Sequence, residues 1–167
     1  MPTRRNAEPD DILKAIVRRI RDQVQDATES TCFLTDDPEA VAAGLPGQIW
    51  YTVAPGQVGK FDESMFDGGG IEQAFTTTDV AVTIHNVAIN EQIGRGTRLF
   101  TDKTKSVYHV ATPVLKALVG HELLDEEGTA LLAQPIFPSD YSVTRDPEKR
   151  IASIQLAFSI AFDWDLS

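Results

Sequence analysis

The clearest pattern in the chain lies at its end. From Ile154 to Leu166 every even position (Ile154, Leu156, Phe158, Ile160, Phe162, Trp164, Leu166) is large and apolar, and every odd one (Gln155, Ala157, Ser159, Ala161, Asp163, Asp165) is small or polar. A pleated strand sends alternate side chains to opposite faces, whereas a helix spreads them around its circumference. The period of two therefore predicts one long strand with one buried face. Burying a side chain of this size is worth at most about 1.5–3 kcal/mol, so the even face is the expected floor of the core. The odd face is unlike an ordinary solvated one, because Ala157, Ser159 and Ala161 are small enough to let another layer come close. That layer is either another part of this chain or a neighbouring subunit.

Earlier segments supply the rest of the core. Ile12, Leu13, Ile16, Val17, Ile20 and Val24 recur at steps of three and four, which predicts an amphipathic helix capped by Asp10 or Asp11. Residues 1–9, with Pro2, Pro9 and no apolar period, are expected to form a flexible arm ahead of a single domain spanning 10–167. Residues 26–47 suggest a loop with one helical turn at 39–43. Gln48–Val53 then reads as a strand. Residues 54–78, rich in glycine and threonine, are too long for an ordinary connection, and form either a functional loop or an extended hairpin. A second strand follows over Val80–Ile89. Its apolar phase shifts after Ile84, so it carries a bulge near His85–Asn86 or is covered on both faces.

A turn at 94–97 leads to a second helix, capped by Thr101 or Asp102, with the stripe Val107, Val110, Ala111, Val114, Leu115 and Leu118. Pro113 either sits inside that helix or divides it into two short ones, and Gly120 ends it. Ala130–Phe137 reads as a strand that Pro135 and Pro138 confine to an edge. Tyr141–Val143 can continue it, and residues 146–149 form a turn. Helix, strands, helix, strands predicts an α+β fold: a mostly antiparallel sheet flanked by two main helices, with an excursion at 54–78.

Composition narrows the picture. A chain of 167 residues suits one domain, and no apolar run approaches the roughly 18–20 residues needed to span a bilayer. The expectation is a soluble protein made in a cytoplasm, with no membrane partner. The lone Cys32 cannot form an intrachain disulfide. Of the net charge of −10, residues 1–25 hold six cations against four anions, a balance of +2, so the remainder carries −12. That sign opposes a phosphate-gripping body and suits either a solvated surface or one past which DNA slides without sticking.

Motifs of catalysis and cofactor binding are incomplete. His121-Glu122 begins a zinc-protease helix signature, but position 125 is Asp where the second histidine belongs. Gly94-x-Gly96 lacks the third glycine of a dinucleotide loop, and Gly68-Gly69-Gly70 is followed by no Lys-Ser/Thr. His85 and His109 suit ordinary hydrogen-bonded or surface roles, Cys32 has no histidine near it in sequence, and the pairs Asp36-Asp37 and Asp62-Glu63 suit solvated loops. No enzyme activity, metal or cofactor is expected.

In order and style the chain resembles the tail terminators, or tail-completion proteins, of long-tailed bacteriophages. The features that carry this are the opening helix Ile12–Val24, the sheet interrupted by long loops, the helix ending Val114–Gly120 and the closing strand ending Phe162-Asp163-Trp164-Asp165-Leu166. The resemblance implies a structural virion protein of the tail or neck. It would form a ring with copies of itself, expected to be hexameric, and would meet the tail tube protein and the neck connector while DNA passes without specific binding. Ala157, Ser159, Ala161 and Asp163, with Gly68, Gly69 and Gly70, are then the candidate interface residues. Head-completion and tail-attachment proteins share this style and stand as an alternative. So does a small-molecule-binding domain or hydrolase, which a pocket with converging His85, Asp and Glu side chains would favour.

Overall fold

A computed structural model describes residues 4–38, 40, 48–62, 72–88 and 107–167. The elements are α1 (Pro9–Gln23), β1 (Cys32–Leu34), β2 (Trp50–Phe61), β3 (Gln73–Ala88), α2 (Val107–Leu118), β4 (Phe137–Asp146) and β5 (Ile151–Asp165). The strands form one sheet in the order β1-β2-β3-β5-β4, parallel only between β1 and β2, so the fold is α+β with a mostly antiparallel sheet.

The alternation in β5 does what its period requires. Ile154, Leu156, Phe158, Ile160 and Phe162 are all buried, and they join Val80, Val82 and Ile84 of β3, Tyr51 and Val53 of β2 and the stripes of both helices in one core. Burial fades at the strand's end, where Trp164 is half-buried and Leu166 is exposed. The phase shift in β3 is a bulge: His85 and Asn86 stand opposite the single residue Ser153, between the pairs Ile84↔Ile154 and Val87↔Ala152. Asn86 takes φ 63°, the left-handed conformation that asparagine tolerates, and Val87 thereby returns to the core.

Several expectations change. α1 begins at Pro9, the first helical position, with Glu8 rather than Asp10 or Asp11 as its N-cap. The Glu8 N–H donates to Asp11 Oδ2 at 3.2 Å. α2 is a single helix containing Pro113; the proline is on its exposed side, where the carbonyl it releases at His109 meets water. Gly120 ends the helix with φ +75°. Ala130–Phe137 is not a strand. Its backbone makes short bridges to Arg4, Leu124 and Ala161, and the edge strand starts only at Phe137. Residues 54–61 and 73–78 are strand, so the excursion is a hairpin extending β2 and β3. The helical turn at 39–43 falls largely outside the described residues, as do the turn at 94–97, the cap at Thr101 or Asp102, and Gly68, Gly69 and Gly70.

Candidate interaction surfaces

The far end of β5 is closed by the chain itself. β4 pairs with β5 only as far as Phe137↔Ser159. Beyond that point the Ala133 N–H donates to the Ala161 carbonyl at 2.7 Å. The Ala7 N–H donates to the Asp163 carbonyl at 2.9 Å, and the Asp165 N–H returns to the Ala7 carbonyl at 3.1 Å. The segment expected to be a flexible arm therefore lies, from Arg4 onward, along this edge, with Ala7 fully buried. Two cations hold it. Arg4 forms an ion pair with Oδ2 of buried Asp163, and Arg5 Nε donates to Asp125 Oδ2 at 2.8 Å. The Thr129 N–H, foremost, and then the Arg5 guanidinium hold the Asp125 carboxyl below its ordinary value. This contact is thus present above about pH 3.8, and is lost as pH falls through the lower folded value.

The four β5 candidates thus divide. Ala161 and Asp163 are buried inside this chain, whereas Ala157 and Ser159 are half-buried on the face opposite the helices, beside Ala81 and Asp79 of β3. The arm's role is invisible in sequence because Arg4-Arg5 looks like any solvated charge pair; two of its acidic partners, Asp163 and Asp125, lie more than a hundred residues away.

Among the described residues other parts of the sheet are unpaired. β1 pairs only with Tyr51, Thr52 and Val53 of β2, so among the described residues nothing pairs with the outer edge of β2 from Ala54 to Phe61. Val58 and Phe61 are 74% and 55% exposed there. Between Pro55 and Gly59 this strand bulges, and a side chain at Gly56 would collide with the Asp79 carbonyl. On the helix side of the same edge lies an apolar groove of about 280 Å³, floored by Val80, Ile160 and Phe162 and walled by Leu13, Phe61 and Trp164. At the other end of the sheet β4 is also an edge, exposed at nearly every residue. Phe137 is 51% and Tyr141 62% exposed.

The histidines take separate places. His85 is buried, its Nε2 2.8 Å from Thr52 Oγ1, and burial pushes its pKa down, which keeps it neutral. A shallow hollow of about 240 Å³ gathers His85, Asp146 and Lys149, but Asp146 Oδ1 is engaged by the N–H groups of Glu148 and Lys149 in the turn. His109 and His121 are exposed. Among the described residues no three His, Cys, Asp or Glu side chains group as metal ligands would. Among the described residues no helix is long and apolar enough to cross a membrane.

No protein-family model matches the chain, and no curated protein does. Its fold is similar to that of a chain in the virion of a native gene transfer agent particle, with a TM-score of 0.54 and 18% identity over 94% of this chain and 98% of that one. The likeness thus spans both chains almost end to end. At that identity it is a likeness of fold.

Proposed function

We propose that this chain is a structural component of a phage-like virion, and more finely a tail terminator: a ring of copies that caps the tail tube, stops its growth and joins it to the neck. The observation that carries this is the two-way, nearly full-length fold likeness to a chain of the gene transfer agent virion. The fold's furnishings support it. Two exposed sheet edges and an apolar groove are surfaces for assembly, and the acidic body suits a passage for DNA. The work is mechanical, through shape and contact, with no bond made or broken.

In this proposal the partners are further copies of the chain, the tube protein and the connector, and its place is the tail or neck of the particle. Ala157 and Ser159 offer a low strip against which a neighbouring surface can sit. The hairpin continuing β2 and β3 reaches toward tube or neck, and Gly68, Gly69 and Gly70 stay proposed contact residues by sequence alone. Negative-stain microscopy of the purified protein mixed with tail tubes and with connectors tests it. Tubes capped at one end by rings are expected. Rings on connectors with bare tubes would reassign the chain to the neck, and no association with any virion part would remove the proposal.

A further inference from the structure

Resting on that reading, we infer that copies of this chain join head to tail by adding β4 of one copy to the open edge of β2, Ala54–Phe61, in the next. Three features of the fold converge on this contact. The first is direction. β2, β3, β5 and β4 alternate up, down, up, down across the sheet, so in a neighbour of the same orientation β4 meets β2 antiparallel. Both are terminal edges with backbone groups to share, and they are different edges. The contact is therefore heterologous and repeats around a ring.

The second is the match of faces. Tyr141 pairs with Leu156, and Val143 with Ile154, so both point to the helix side of the sheet, as the T-shaped contact of Tyr141 with Tyr108 of α2 also shows. The apolar groove beside the β2 edge opens on that same side. A continued sheet carries the exposed Tyr141 ring over the groove of the next copy, against Phe61 and the floor of Val80 and Ile160. That burial gives each copy a reason to leave both a groove and an aromatic side chain uncovered.

The third is charge. In the antiparallel arrangement the end of β4 and its turn approach the point where β1 leaves β2, at Val53. The chain there continues into exposed Asp36 and Asp37, while the approaching end of β4 and its turn carry Arg145, Lys149 and Arg150 against Asp146 and Glu148, a balance of +1. In a body of net charge −10, the turn's cations thus lie opposite two of its carboxylates. A second copy is the occupant that supplies strand direction, apolar ring and cations together.

Cysteine cross-linking tests this in the full chain. The native Cys32 is fully buried and its thiol is pushed up to about 11, mainly by burial, so it stays silent toward maleimides at neutral pH. Val58→Cys and Ser142→Cys chains, purified separately, are mixed at high concentration and treated with a short bis-maleimide. The expected product is a covalent dimer holding one chain of each kind, with neither variant dimerising alone. Adding Tyr141→Arg to the Ser142→Cys chain is expected to lower the yield ~10-fold with an unchanged melting temperature. Dimers from one variant alone mean a two-fold contact and overturn the inference, as does the absence of any mixed dimer. Rings without the mixed cross-link would sink this contact and leave the terminator proposal standing. The mixed cross-link in filaments that never cap a tube would do the reverse.

Discussion

The far end of β5 and the outer half of β2 are both sheet edges, and the chain treats them in opposite ways. Along β5 beyond Ser159 it closes the ladder residue by residue with Ala133 and Ala7, and pins the arm with Arg4 on Asp163 and Arg5 on Asp125. Along β2 beyond Val53 the described chain adds nothing, yet leaves Val58, Phe61 and an apolar groove beside the unpaired backbone. Open edges invite aggregation, and a chain able to seal one has the means to seal both. Among the described residues the β5 end is thus part of the fold, while the β2 edge keeps its backbone groups available for the contact proposed above.

The largest expected effect is at the sealed end. Ala161 is 2% exposed, so Ala161→Arg must bury a cation or force the surrounding packing apart. A loss of about 3 kcal/mol or more in urea unfolding is expected. A folded, stable variant would mean that this end is looser than the hydrogen bonds indicate.

Arg4→Ala comes next. Its side chain is 39% exposed, so solvent already screens the pair and the expected loss is only about 1 kcal/mol. It should appear as faster amide exchange at Ala7 and Asp165 before any change elsewhere. Unchanged exchange there would show that the backbone bonds hold the arm unaided.

His85 gives a smaller effect with a definite sign. Burial lowers its folded pKa below the ordinary 6.5, so below about pH 6.5 the unfolded chain binds the extra proton and stability falls with pH. His85→Gln should flatten that slope between about pH 7 and 5 in urea titrations, and leave stability near its wild-type value at about pH 7.5. A slope that persists would place its origin in other groups.

The smallest effect on stability belongs to the open edge. Val58→Lys should change unfolding free energy by less than about 0.5 kcal/mol, while reducing self-association measured by sedimentation. If instead it costs several kcal/mol, the edge is covered and the contrast between the two edges dissolves.

What could be seen in the sequence follows from what burial writes there. β5 and both helices were legible because one face of each is buried, leaving a period of two or of three to four in residues such as Phe158, Ile160, Leu13 and Val114. The outer halves of β2 and β3 were left between loop and hairpin, because much of the hairpin is exposed and its order comes from ladder hydrogen bonds, to which Thr76-Thr77-Thr78 give no periodic signature. β4, exposed on both faces, left only its Pro138 and a three-residue hint at Tyr141–Val143. Of the small residues of β5, Ala161 is buried within the chain while Ala157 and Ser159 are half-buried. The neighbour is Ala133 at Ala161 and the arm at Asp163, contacts between distant segments that no local pattern records. The groove likewise draws its walls from α1, β2 and the end of β5.

The position of β5 between β3 and β4 has a consequence for how the molecule comes into being. During synthesis β3 must wait for Ile151–Asp165 before its second edge is paired, and the arm at Arg4–Ala7 waits longer still for Asp163 and Asp165. A nascent chain ending before β5 would leave Val80, Val82 and Ile84 with β2 on one side and an unpaired edge on the other, an aggregation hazard. Docking of the arm along the edge of β5 is then a late event in the folding of these elements.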